Sequence, residues 1–569
     1  MAEQEQIHLE PLLRLLSDQD VLSEEQAVGV QKEYEESGKP VRNIVVDIGL
    51  IPEDQLLEVI AGYQGSRVIN LPATDIPPDV VHSIPASVAR MYNCVPVEVG
   101  PNSVELAVYD IVTPQVMDEL MFVLTRDVSF LLAREDDVKT CINQFYGDDS
   151  DAVNEMLSAL ESVEGVGDSL TVTDGDEKGL EEQAESKPVV QFVNLVLFQA
   201  VNDRASDIHF EPFEREFKIR YRVDGALYEM APPPRRLAMP IISRIKVMSH
   251  LNIAERRLPQ DGRIQLTIGG RQIDLRVSTL PTQFGESVVL RVLDRSVVSL
   301  EIENLGMPDD VYEQYTRDIE KPNGILVVTG PTGCGKTTTL YSGLRRINTT
   351  ERKLLTAEEP VEYDIEGIIQ VPISEQTGNT FARVLRAFLR QDPDVIMVGE
   401  VRDIETAQIA IQASLTGHLV FSTLHTNDAA GAITRLIDMG VAPYLISSTL
   451  EAVLGQRLVR TVCEHCKTAY TPGPEILERL DLTEQDVAGR SFFYGAGCSF
   501  CNDTGYHGRK GIYEYLPVGE PIRVLINDEQ PTLIIRDKAI QLGMRTLRED
   551  GVRNVLDGYT TVDEVLKYT

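Results

Sequence analysis

Residues 330 to 337 read Gly-Pro-Thr-Gly-Cys-Gly-Lys-Thr, a G-x-x-x-x-G-K-[ST] pattern between the apolar run Ile325 to Val328 and a helical stretch. These types at this spacing cradle phosphates. Gly330, Gly333 and Gly335 let backbone N–H groups curl around an anion, and the following helix turns its positive end toward it. Lys336 reaches the β and γ phosphates and Thr337 offers a hydroxyl to Mg²⁺. Pro331, Thr332, Cys334 and Thr338 complete the nucleotide-binding stretch. Cys334 is expected to add sensitivity to thiol reagents.

About 65 residues later, Asp394 to Glu400 (Asp-Val-Ile-Met-Val-Gly-Glu) is an apolar strand ending in a carboxylate. Such a group can face Mg²⁺ and the attacking water, so Glu400 is the candidate base or water-positioning residue. Between the two motifs, Thr-Ala-Glu-Glu-Pro-Val-Glu (356 to 362) places three carboxylates on a short segment, and residues 416 to 428 contain His418 and His425. A histidine following an apolar strand can also be an ordinary packed group. Near the C-terminal end, Cys463-Glu-His-Cys466 and Cys498-Ser-Phe-Cys501 form two C-x-x-C knuckles separated by 31 residues. Four thiolates suit a closed tetrahedral Zn²⁺ site whose work is structural. His465 is a further candidate ligand, but four sulfurs already fill the shell.

The elements that must position these groups belong to a chain of 569 residues, too long for one core. Residues 1–146 read as a helix-rich and then mixed N-terminal domain, with tandem helices over 1–70 and an α+β part over 71–146; its docking or regulatory role is what the resemblance described below implies. Leu-Ser-Glu-Glu-Gln (22 to 26) and Ile-Pro-Glu-Asp-Gln (51 to 55) open two similar helical stretches. Residues 147–187 carry 13 Asp or Glu against 2 Lys, the composition of a solvated, flexible linker. From 188 to 300 strands dominate, at 217–223, 264–268, 272–277 and 287–293. From 301 to 569 the strand, loop, helix order predicts a doubly wound α/β core, with the cysteine pairs in a subdomain over 460–510. The formal charge of −36 argues against broad nucleic-acid or lipid-surface binding. No signal peptide or membrane-spanning run is visible, so a cytoplasmic protein is expected.

In order, the phosphate loop, the acidic box around Glu358, the Gly399-Glu400 strand end and the box with His418 and His425 resemble the nucleotide-site signatures of secretion-type ATPases, the motors of type IV pilus assembly and type II secretion. Ser206-Asp207-Ile208-His209, Arg222-Val223-Asp224-Gly225 and Arg257-Leu258-Pro259-Gln260-Asp261-Gly262-Arg263 extend the likeness over essentially the whole chain. The resemblance implies a hexameric motor with a RecA-like ATPase core behind a PAS-like α+β domain, in which Arg276 and Arg291 are candidate arginine fingers. Read alone, those arginines could equally pair with strand carboxylates. It further implies Glu358 as a catalytic carboxylate, His425 as a γ-phosphate sensor and the zinc subdomain. The box reads Glu358-Glu359-Pro360 where the family usually has Glu-Asp-Pro, which leaves the role of Glu359 open. The N-terminal helices resemble a module that binds cyclic di-GMP in some members. The second half keeps Arg42, Gly49, Leu56 and Gln64, whereas the first lacks the glycine, so docking to an inner-membrane partner is the preferred reading. The expected activity is ATP hydrolysis driving pilin polymerisation, at the cytoplasmic face of the inner membrane, through an integral-membrane platform protein and other pilus or secretion components. The type II secretion motor is the alternative. A nucleic-acid translocase and a non-hydrolysing second-messenger regulator are the more distant readings.

Overall fold

The computed structural model describes residues 11–19, 21–23, 26, 27, 29–31, 41–74, 76–81, 83–85, 88, 89, 92–146, 184–230, 232–268, 271–294, 300–374, 377–487 and 489–569. Most of the expected acidic linker, at 147–183, and parts of the first helical repeat lie outside the described residues. The chain divides into two compact units, Met1–Ser296 and Val297–Thr569.

In the first unit, the helix Glu53–Gln64 carries Glu53 and Asp54 in its first turn and stops at Gly65, whose φ of 64° is the left-handed conformation glycine adopts freely. It buries Leu56, Leu57, Ile60 and Ala61, a stripe at helical spacing. Arg42, one of the residues the dinucleotide module would use, is 3 % exposed. It donates to Glu53 at 2.8 Å, lies 3.7 Å from Glu135 and sits over the Tyr109 ring. A small sheet follows, β1 (Val95–Val99), β2 (Ser103–Val108) and β3 (Asp127–Leu132), in that order across the sheet.

The strand-rich part of this unit is an antiparallel sheet of β4 (Asp207–Pro212), β5 (Phe217–Val223), β6 (Ala226–Glu229), β7 (Gln260–Ile268), β8 (Arg271–Thr282) and β9 (Gly285–Asp294), ordered β6-β5-β4-β9-β8-β7. On β5, Phe217, Ile219 and Tyr221 are buried while Lys218, Arg220 and Arg222 are only partly so, the period of two that a one-sided sheet imposes. Tyr221 fastens the helix Lys187–Asn202 to this sheet by donating to Val196 O at 2.7 Å. β4 has no counterpart among the strands read from sequence, although Asp207, His209 and Glu211 on its partly exposed face alternate with buried Ile208, Phe210 and Pro212.

In the second unit, β10 (Gly324–Thr329), β11 (Leu354–Glu358), β12 (Ile369–Pro372), β13 (Val395–Val398), β14 (Leu419–Leu424) and β15 (Leu450–Val462) run parallel wherever they pair. β16 (Lys467–Tyr470) and β17 (Phe492–Gly495) form a separate two-stranded ribbon, and β18 (Tyr506–Pro517) returns antiparallel to β15. The large sheet reads β12-β11-β13-β14-β10-β15-β18. Every residue of β10 is buried, because both faces are covered. Ile325 and Val327 join one apolar core, with the helices Phe381–Phe388 and Ile404–Leu415, while Leu326 and Val328 join another with Tyr315, Leu340 and Leu344. A continuous apolar run is therefore what a doubly wound strand needs. Among the described residues no helix is long and apolar enough to cross a membrane.

Candidate functional site

The phosphate loop leaves the C-terminal end of β10 and enters the helix Lys336–Ile347. Gly330, Gly333 and Gly335 have φ of 154°, 78° and 88°. A Cβ on Gly330 would lie 2.5 Å from Gln456 O and 2.6 Å from Cys334 Sγ, so no larger residue fits against β15 there. No N-cap side-chain hydrogen bond closes the helix at Gly335, and the N–H groups of a helix's first turn are where an anion is met. The Lys336 ammonium is folded back onto its own loop, donating to Gly330 O at 2.9 Å and Pro331 O at 3.0 Å. Burial lowers its pKa, opposed by the neighbouring Cys334 and the Glu400 carboxylate. The loop crest, Pro331 to Gly333, and Thr337 are exposed.

Cys334 is 3 % exposed, and burial pushes its thiol pKa up despite the nearby Lys336 and Arg457. The expected sensitivity to thiol reagents is thereby overturned, since the thiolate is the reactive form and reagents have little access.

Glu400 stands just beyond β13, and β14 lies between that strand and β10. Its Oε2 meets His425 Nε2 at 3.1 Å and its Oε1 is bound by Arg402. Arg402 also donates to Glu359 Oε2 at 2.8 Å. Glu358 points the other way. It is 3 % exposed and accepts from Tyr341, from Thr356 Oγ1 at 2.5 Å and from Gln370 Nε2 at 3.1 Å. Its oxygens are thus engaged in a buried network tied to the phosphate-loop helix, which does not place it to receive a proton from water. Of the acidic pair, Glu359 is the one linked to Glu400, through their shared partner Arg402. His418 is likewise separated from the cluster: it precedes β14 and its Nδ1 lies 2.8 Å from Ala413 O. The six residues of β14 put it roughly 20 Å of strand away from His425.

Residues 182–567 match the family described as type II/IV secretion system protein, and residues 63–152 match the MshEN domain. A type IV pilus assembly ATPase PilB of Myxococcus xanthus is 40% identical over 560 residues, 98% of each chain. The chain belongs to the type II/IV secretion system protein family. A type II secretion system protein E of Xanthomonas campestris pv. campestris is 42% identical over 538 residues, 94% of each chain. The Yersinia pseudotuberculosis ATPase DotB superimposes with a TM-score of 0.50 over 66% of this chain and 92% of that one, a likeness of fold at 22% identity. The chain is an ATPase, and ATP with Mg²⁺ is the nucleotide that membership of the family implies.

In this family member Arg276 and Arg291 lie in the first unit and face each other across β8 and β9. The register continues the row: Arg263 opposes Arg276, Asp207 opposes Arg291, and Arg222 opposes Asp207. Directly opposed side chains share a sheet face, so five strands present four arginines and one aspartate in line. Arg291 is 59% exposed and its Nε lies 3.3 Å from Asp207, so the carboxylate pairing foreseen for it is present alongside an open face. Arg222 and Arg263 entered the sequence reading only within the stretches that carry the resemblance; their alignment with Arg276 and Arg291 is visible in the register alone.

Two further cations were missed. Arg402 follows Glu400 by two positions, a signal the sequence did carry. Arg457 on β15 carried none; it is 8 % exposed, donates to Asn427 O at 2.8 Å and lies against Gly330, joining the histidine-box loop to the back of the phosphate loop.

The four knuckle cysteines converge, with all sulfurs within 4.8 Å of one another. Cys463 to Cys498, Cys466 to Cys501 and Cys498 to Cys501 are 3.9, 3.8 and 3.6 Å apart. A tetrahedron with Zn–S bonds of about 2.3 Å has edges of about 3.8 Å. The donor set therefore fits Zn²⁺ in size and chemistry. Cys501 Sγ also accepts from Cys498 N and Gly505 N, each at 3.3 Å, contacts that favour a thiolate.

Proposed function

We propose that the chain forms a hexameric ATP-hydrolysing motor that drives type IV pilus assembly from the cytoplasmic face of the inner membrane, acting on an integral-membrane platform protein. The observation that carries this reading is a pilus-assembly relative aligned over 98% of both chains, N-terminal region included. In the proposed cycle Lys336 leaves the carbonyls of Gly330 and Pro331 to meet the β and γ phosphates, and Thr337 binds Mg²⁺. Glu400, with His425 beside it, orients a water that attacks the γ-phosphorus while the bond to the β-γ bridging oxygen breaks and ADP leaves. Arg276 and Arg291 supply positive charge to the phosphates, a role that their alignment across β8 and β9 and the exposure of Arg291 support. Zn²⁺ on Cys463, Cys466, Cys498 and Cys501 holds a structural subdomain.

The type II secretion motor is the second reading, favoured by the 42% identity to a secretion protein over 94% of both chains. Deleting the gene separates the two. Loss of surface pilin with exported enzymes intact supports the pilus motor, and the reverse supports the secretion motor.

For the N-terminal module we favour docking over cyclic di-GMP binding, because the Arg42 guanidinium is buried against Glu53, Glu135 and Tyr109. A dinucleotide phosphate would have to draw it away from two carboxylates. Calorimetric titration of the full chain with cyclic di-GMP decides the point: saturable heat would establish the ligand role.

A further inference from the structure

The Glu400 backbone is well fixed. Gly399 N donates to Ala357 O at 2.8 Å, Thr423 Oγ1 donates to Gly399 O at 2.7 Å, and Val401 N donates to Thr423 O at 3.2 Å. Its side chain, 17% exposed just past the end of β13, has several rotatable bonds of its own. What restrains the carboxylate is Arg402 on one oxygen and His425 on the other.

Arg402 is anchored at its root and divided at its tip. The next residue, Asp403, caps the helix Ile404–Leu415 by accepting from Thr406 N at 2.8 Å, which fixes where the Arg402 main chain stands. At the tip, Nη2 serves Glu400 and Nη1 serves Glu359. Those carboxylates come from the ends of two neighbouring strands, β13 and β11. A guanidinium is planar with donors in a rigid fork, so serving both partners fixes an angle between them that a lysine ammonium could not.

We propose that Arg402 is a positioning residue for ATP hydrolysis: by binding Glu359 and Glu400 at once, it sets the direction in which the Glu400 carboxylate meets the attacking water. Glu359 thereby acquires a role as the second post of this brace. The proposal rests on the reading of Glu400 as the water-orienting group. Arg402 is 58% exposed and Glu359 31%, and ion pairs so open to solvent add little to stability. The brace therefore acts on geometry, where a misplacement of about 1 Å can cost about 100-fold in rate.

The test uses the full-length chain, with phosphate release for turnover, a fluorescent ATP analogue for binding, and sedimentation to verify an unchanged assembly. Arg402→Ala is expected to lower kcat by about 10- to 100-fold while KM and analogue affinity stay within about threefold. Glu359→Gln should lower kcat in the same sense, and Arg402→Lys should recover only part of the loss. The double variant Arg402→Ala/Glu359→Gln should be no slower than the worse single variant, because both remove one brace. Native turnover in Arg402→Ala, additive losses in the double variant, or a loss confined to KM would overturn the proposal. If Arg402→Ala does not fold, Glu359→Gln and Arg402→Lys carry the same test. Glu400→Gln separates the underlying reading: brisk hydrolysis there defeats the role of Glu400, whereas an inactive Glu400→Gln beside a fully active Arg402→Ala defeats the brace alone.

Discussion

Lys336 has two carbonyls to leave before it can meet a phosphate, and Glu400 starts from contacts with Arg402 and His425. Both groups are therefore engaged before a nucleotide arrives, and they should fail differently when removed. Lys336→Ala is expected to abolish productive ATP binding, because the loop loses its only lysine. Glu400→Gln should bind ATP yet lose roughly 10²- to 10⁴-fold in turnover, the usual weight of general-base assistance. Nucleotide titration and phosphate-release rates measured on both variants check the pair. Cys334 gives a separate test of loop packing. Burial raises its pKa, so at pH 7 to 8 less of it is thiolate than in a free thiol, and the reagent must also reach a covered sulfur. Timed alkylation with peptide mapping should label the partly exposed Cys141 ahead of Cys334 and Cys94. Early labelling of Cys334 in folded protein would contradict the buried geometry.

At the level of elements, the cap at Asp403 fixes the start of a helix that packs into the core, and the sulfur cluster gathers a segment with little apolar surface of its own. Asp403 accepts from Thr406 N at 2.8 Å and from Thr406 Oγ1 at 3.0 Å. Asp403→Ala should cost about 1 kcal/mol, the ordinary worth of an N-cap, read as a lower midpoint in chemical denaturation. The four-sulfur cluster offers a larger effect if it holds zinc as proposed. Structural zinc in small fingers binds with about 10–16 kcal/mol, far more than the thin ribbon of β16 and β17 can supply by packing. Metal analysis should find one zinc per chain, and chelation should expose the segment between the knuckles to protease while the rest resists. Cys94→Ser should leave the zinc content unchanged, because Cys94 is buried in the first unit, outside the four-sulfur cluster.

For the whole molecule, the divided placement of the chemistry matters most: the arginine row belongs to one compact unit and the phosphate loop to the other. If Arg276 and Arg291 act on charge that develops in the transition state, replacing either by Ala should lower turnover far more than ATP affinity. Arginine fingers elsewhere contribute about 10³- to 10⁵-fold. Mixing Lys336→Ala protein with Arg276→Ala protein asks which copy donates the finger. Partial recovery of ATPase activity in mixed assemblies means donation between copies, and no recovery in assemblies shown to be mixed means action within one chain.

Local sequence determined the parts whose physics is local. The phosphate loop was legible because three glycines, a lysine and a threonine must follow one another along the backbone. The apolar run of β10 was legible because burial on both faces needs uninterrupted apolar residues, and the knuckles because two thiols three positions apart already share a turn. Tertiary structure decided what depends on neighbours distant in the chain. The insertion of β14 between β10 and β13, the turning of Glu358 inward and Glu359 outward, the distance of His418 from His425, and the row from Arg222 to Arg263 all follow from strand order and register. A side chain's type states what chemistry it can do. Its partner is set by which strand lies beside it, and pairing between strands is a long-range choice made by burying both faces of the sheet at once.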